Sequence, residues 1–148
     1  MHKSYEEIKY KGSLFAIIIR LDYSSKEIVF FGKPDFSQQL GYLPHKKGNK
    51  IKAHFHKEIN RKIMLTQEVL FIKRGKIIVD FYTNNKKYVT SRILSTGDLL
   101  FLCNGGHGFE VLEDAEMFEV KQGPYSSKQK DKEVFRGIEN DSSLRTFD

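Results

Sequence analysis

At 148 residues, 39% of them hydrophobic and 30% charged, the chain has room for one core and is neither disordered nor fibrous in composition. Its longest apolar run, Leu14 to Ile19, falls far short of the roughly 20 residues that span a bilayer, so a membrane role is set aside. The 25 basic and 19 acidic residues leave a net charge of +6. The bases are scattered at expected turns (Lys46-Lys47, Lys57, Arg61-Lys62, Lys73-Arg74, Lys86-Lys87) rather than gathered in a stripe. That pattern argues for a solvated lysine-rich surface, with an anionic small molecule as the functional alternative and no nucleic acid.

A single cysteine, Cys103, excludes an internal disulfide and suits a reducing compartment. Acids follow Met1 almost at once, so no secretory signal is expected and the cytoplasm is the expected location.

Period-two alternation broken by turn residues predicts an all-β domain. The expected strands are, in chain order, Leu14 to Arg20, Glu27 to Phe31, Gln39 to Leu43, Ile51 to His56, Gln67 to Lys73, Lys76 to Tyr82 and Tyr88 to Leu94. Asp98 to Leu102, His107 to Leu112 and Glu116 to Lys121 follow. Gly32-Lys33-Pro34, Gly48-Asn49, Arg74-Gly75, Asn84-Asn85, Thr96-Gly97-Asp98, Gly105-Gly106 and Glu113-Asp114 carry the turn chemistry between them. Strands this short and this regularly spaced fit a sandwich or a small barrel occupying residues 1–125. A polar tail over 126–148, extended or partly helical, has Val134, Phe135, Ile138, Leu144 and Phe147 as its only anchors.

His54-Phe55-His56 is the feature that most needs a chemical account. On a strand, residues two apart lie on one face about 7 Å apart at Cα, close enough for two imidazoles to converge on an ion. Glu68 stands in the strand-like run Gln67 to Ile72 and shares its parity with Leu70 and Ile72, where a carboxylate without a partner is costly. His107, between Gly105-Gly106 and Gly108, sits where backbone can approach closely. Three histidines and one carboxylate would suit a divalent ion: Fe(II), Mn(II), Zn(II) or Ni(II). Cys103, in an apolar setting, reads as a buried inert thiol, His45 as exposed, and His2 carries no signal.

Gly48, His54-Phe55-His56, Glu68 and Gly75, with five residues between the first two and six between the last two, resemble the first motif of the cupins. Gly97 and His107 resemble the opening glycine and metal histidine of the second, which lacks its usual proline and is one residue short. The resemblance spans about Gln39 to Lys121 and implies a double-stranded β-helix (cupin or jelly-roll barrel) holding one divalent metal on His54, His56, Glu68 and His107. The loop from Lys57 to Gln67 is longer than the family's usual three or four residues, so Gln67 or Glu58 stays open as the fourth ligand. The run Leu112 to Tyr125 is similar to a group of small single-domain cupins often encoded beside polysaccharide or nucleotide-sugar genes.

By parity Met117, Glu119 and Lys121 share one face. If that face lines the barrel, Glu119 and Lys121 are a polar pair available for acid–base catalysis. The functional expectation is a metal-dependent isomerase or epimerase acting on a small anionic or sugar-derived substrate, with an Fe(II) dioxygenase or a non-catalytic sugar- or metabolite-binding cupin as alternatives. Ile51, Ala53 and Phe55, with Phe15, Ile17 and Ile19, present more apolar surface than a lone barrel covers, which predicts a homodimer through the N-terminal strands.

Overall fold

The structure, a computed structural model, describes residues 3–124 and 131–147. His2, Tyr125 and the first polar residues of the tail, Ser126 to Lys130, lie outside the described residues. The fold is all-β, with strands β1 (Tyr5–Tyr10), β2 (Ser13–Ile19), β3 (Val29–Phe31), β4 (Leu40–Tyr42), β5 (Glu68–Tyr82), β6 (Tyr88–Ser95), β7 (Leu99–Leu102) and β8 (Gly106–Lys121). Two single 3-10 turns, Ile138–Asn140 and Ser142–Leu144, belong to the tail. Among the described residues no helix is long and apolar enough to cross a membrane.

One antiparallel sheet runs β1-β2-β7-β5-β6, and β8 pairs along the other side of β5. Its organising element is β5. The half from Glu68 to Phe71 pairs with β7, the half from Lys76 to Tyr82 pairs with β6, and β8 follows both halves from Lys121 back to Gly106. Between the halves the β5–β8 register slips at Ile72/Arg74, Arg74/Lys76 and Lys76/Ile77. Each bulge adds twist and bend to its strand.

At the centre of this region Gly75 adopts φ +92°, and a Cβ there would stand 2.2 Å from the Asp114 carbonyl oxygen. The bend folds both long strands over on themselves. Glu68 pairs with Lys121 and Phe81 with His107, positions that a straight strand would hold about 40 Å apart. Yet His107 Nε2 lies 3.4 Å from Glu68 Oε2. The sheet is therefore a curled half-barrel whose two ends meet.

Leu70, Ile72, Ile77, Val79 and Phe81 line its concave face with Phe15, Ile18, Leu94, Leu100 and Leu102. A second apolar layer, Leu14, Ile17, Ile19, Phe31, Phe101 and Cys103, packs the convex face beneath the β3–β4 hairpin. Phe15, Ile17 and Ile19 are thus buried within the chain. The chain's own sheet and hairpin cover these three side chains.

Three expectations need correcting. Arg74-Gly75 and Glu113-Asp114 are not chain reversals. They bulge inside continuous strands, so Gln67 to Lys73 joins Lys76 to Tyr82, and His107 to Leu112 joins Glu116 to Lys121. A first strand, Tyr5–Tyr10, was not anticipated; its apolar side is carried mainly by Ile8, too little for a clear alternation.

The third correction concerns Ile51 to His56, which form no strand. Residues 45–66 are exposed throughout, and Phe55 is 83% exposed. Alternation alone does not make a strand: the backbone donors and acceptors need a neighbouring edge, and here none is supplied.

The tail docks on the barrel. Phe135 meets the Tyr82 ring edge-on at 5.1 Å, and the Ile138 amide donates to Tyr82 Oη at 2.9 Å. The Ser91 amide donates to the Thr146 carbonyl at 2.8 Å. Between these contacts Arg145 donates through Nε and Nη2 to Asp80 Oδ1 and Oδ2, both at 2.9 Å, and its Nη1 meets Glu110. Asp80 is fully buried and also accepts from Ser91 Oγ at 2.5 Å.

Candidate functional site

The two ends of the curled sheet bring a polar group to the open mouth of the half-barrel. Directly paired residues of antiparallel strands share a face. Lys121 therefore lies on the concave side opposite Glu68, Glu119 opposite Leu70, and His107 opposite Phe81. Glu68 is the buried centre at 5% exposure. Besides His107 it has Lys121 Nζ and Lys132 Nζ each at 4.0 Å, and Lys121 Nζ in turn lies 3.1 Å from Glu119 Oε1.

The Glu68 carboxyl is held below the usual carboxylate range, chiefly by its hydrogen bond with His107, against the opposing effect of burial; the charges of His107, Lys132 and Lys121 add to it. Lys121 is pushed above the usual lysine range, first by its hydrogen bond with Glu119. An ionised carboxylate inside an apolar barrel is tolerable because His107 lies within hydrogen-bond reach and two ammonium groups stand nearby.

Because the folded-state value of Glu68 is depressed, its ionisation stabilises the fold above the unfolded value of about 4.3, and that contribution is lost as pH falls through the folded value. Acid titrations of unfolding free energy for the wild type and Glu68→Gln should run parallel above about pH 5 and converge below about pH 4. Parallel curves across the whole range would remove the ionised carboxylate from the site.

The four expected metal ligands divide into two pairs. Glu68 and His107 meet in the barrel mouth; His54 and His56 stand on the exposed segment, with ring centroids 5.4 Å apart and His54 Nδ1 2.8 Å from the Lys52 carbonyl oxygen. Among the described residues no group of three or more His, Cys, Asp or Glu is placed to hold a metal ion. The residues as placed do not fit a four-ligand shell.

Neither alternative fourth contact changes this. Glu58 is exposed on the same segment as His54. Gln67 is buried but engaged, its Oε1 accepting from the Gln38 amide at 3.2 Å and from Ser37 Oγ at 3.3 Å. On this geometry a zinc titration should show a weak site that is lost in His54→Ala/His56→Ala and unaffected by Glu68→Gln. A tight site lost in either variant would show that all four ligands gather.

Gly105 and Gly106 do allow close approach. A Cβ at Gly105 would stand 2.6 Å from the Tyr82 carbonyl oxygen, and one at Gly106 would stand 3.2 Å from the Phe135 ring. Cys103 is buried with its thiol pushed up to about 12 by desolvation, which makes it inert as expected, and His45 is exposed.

Three participants went unforeseen: Lys132, Asp80 and Arg145. Asp80 breaks the apolar run Ile77 to Tyr82 as Glu68 breaks its own, so the same cost argument would have found it. Lys132 and Arg145 carry no local signal; only the path of the tail brings them to the barrel.

No family model, curated protein or solved structure matches the chain.

Proposed function

We propose that the chain is a small cupin-type barrel enzyme that moves a proton on a small anionic or sugar-derived substrate, an isomerase or epimerase in reaction class. The observation that carries this reading is the Glu68–His107 pair, a buried carboxylate 3.4 Å from an imidazole at the mouth of an otherwise apolar barrel. Such a pair is the usual equipment for general acid–base catalysis, in which the carboxylate orients the ring and the imidazole takes and returns the proton. Lys121, kept charged by Glu119, is positioned on the same face to neutralise an oxyanion that develops beside a carbonyl.

In an isomerisation of this kind, His107 removes a proton from the carbon next to a carbonyl. The electron pair moves to the carbonyl oxygen opposite Lys121, giving an enediolate. The hydroxyl proton of the deprotonated carbon passes to that oxygen, and His107 returns its proton to the former carbonyl carbon as the new carbonyl forms on its neighbour. The curled antiparallel sheet, the glycine placements and the lumen-facing Glu68 support the double-stranded β-helix as the finer description of the fold. Metal-dependent isomerisation and the dioxygenase would require His54 and His56 to join Glu68 and His107, so no step is routed through a metal.

The test is deuterium wash-in from heavy water at the carbon next to the carbonyl of sugar phosphates, followed by proton NMR. His107→Gln should lose about 10²–10⁴ of the wild-type rate, and Glu68→Gln should fall in the same direction. Exchange that is unchanged in His107→Gln, or absent from the wild type across a panel of ketose and aldose phosphates, would sink the reading.

A further inference from the structure

The edge of β8 away from β5 carries no strand among the described residues, and the tail runs beside it. Between them lies a cleft of about 340 Å³, walled by His107 and Phe109 on the strand, Tyr82 beneath, and Lys132 and Phe135 on the tail. We propose that this cleft is a binding subsite for a single sugar ring bearing a phosphate or carboxylate, and that the tail supplies half of it. The inference rests on the proton-transfer reading of His107.

Size favours one ring: the cleft is at the low end of ligand pockets, which run from about 300 to 1,000 Å³. Its chemistry is of two kinds. Phe109, Phe135 and Tyr82 offer ring faces and edges of the sort on which the C–H side of a sugar packs. His107, 5.3 Å from Phe109 between ring centroids, presents the polar end, and Lys132 supplies the cation.

The acids on the same wall are already occupied. Glu133 pairs with Lys86 at 2.5 Å, and Glu139 accepts from the Gly137 amide at 3.2 Å and from Asn140 at 3.1 Å. Lys132 Nζ stands 4.0 Å from Glu68 Oε1, too long for a strong pair, so an incoming anion can take the ammonium without breaking that contact.

The tail's position is specified rather than incidental. Thr66 Oγ1 donates to Asp131 at 3.3 Å on one side of Lys132, Phe135 packs over side-chain-free Gly106, and Arg145 anchors the far end on Asp80. A bulkier residue at 106 would displace the ring.

Glucose 6-phosphate and its neutral counterpart methyl β-glucoside, titrated into the full chain with NMR of the His107 and Phe135 rings, test the proposal. The phosphate should shift both rings saturably, and the neutral sugar should bind about tenfold or more weakly. Lys132→Met should weaken the phosphate by about tenfold or more, and Phe135→Leu should weaken both sugars, with the remaining barrel resonances unmoved.

No saturable shift at either ring up to about 10 mM, or equal affinity in Lys132→Met and wild type, overturns the subsite. If both tail variants bind normally while His107→Gln still abolishes deuterium exchange, the tail inference fails and the proton-transfer reading stands. If the tail variants weaken binding and the wild type exchanges no deuterium, the subsite stands and the reading fails.

Discussion

Replacing Arg145 with alanine is expected to cost about 3–5 kcal/mol of folding stability, the range for removing one partner of a buried ion pair. Asp80 is inaccessible, and the Arg145 side chain is 4% exposed. The truncation therefore leaves a carboxylate in the sheet with, among the described residues, the Ser91 hydroxyl as its remaining side-chain donor. The contact with Glu110 adds little, since that side chain is 43% exposed and solvent screens it.

The penalty belongs to the stranded charge rather than to the lost bond. The double variant Asp80→Asn/Arg145→Met should accordingly be more stable than Arg145→Ala alone, although it deletes more of the interaction. Urea unfolding of the three proteins checks this. A single variant within about 1 kcal/mol of wild type would mean that Asp80 acquires water or a new donor. The experiment also reports on the tail, because Arg145 lies next to Thr146, whose carbonyl accepts from Ser91, Tyr88 and Thr90.

Gly75→Ala should be nearly as damaging and should act on the site from a distance. The left-handed backbone at φ +92° costs a non-glycine residue about 1–2 kcal/mol. The added Cβ would also stand 2.2 Å from the Asp114 carbonyl oxygen and 2.7 Å from Ala115 Cα, so one strand must move. Overpacking of that kind costs about 1–3 kcal/mol more, for a sum of about 2–5 kcal/mol.

Gly12→Ala is the control: its φ is +78°, but nothing lies within 4 Å of its Cβ position, so it should show the backbone cost alone. The difference between the two variants isolates the clash. Because the bend at Gly75 is what carries His107 round to Glu68, deuterium exchange in Gly75→Ala should fall further than its folded fraction accounts for. Exchange that tracks the folded population alone would detach the bend from the site.

Much of this molecule was legible in its residues. Short apolar runs bounded by turn residues located β2 and β7, and alternation located β6, to within a residue or two, because a strand buried on both faces reads as a run and a half-buried one alternates. The cost of a lone carboxylate in an apolar run singled out Glu68, and the glycines around His107 marked a close approach of backbone. Parity placed Glu119 and Lys121 on one face. Each of these signals is local: it depends on which side of a strand a residue lies, and side chains two apart answer that by themselves.

What the tertiary structure decided is everything that depends on a partner. The alternation of Ile51 to His56 resembles that of a true strand but has no edge to pair with. Arg74-Gly75 has the composition of a turn but is spanned by a continuous neighbour, β8, so it bends the sheet instead of reversing the chain. The apolar side chains of β2 divide between two layers, Phe15 and Ile18 facing the interior of the sheet and Leu14, Ile17 and Ile19 packing beneath the β3–β4 hairpin. Lys132 and Arg145 reach the barrel from a polar tail whose destination no local periodicity encodes. Strand faces are set by bonds two residues apart; strand partners, bends and docking are set by contacts made across the whole length of the chain.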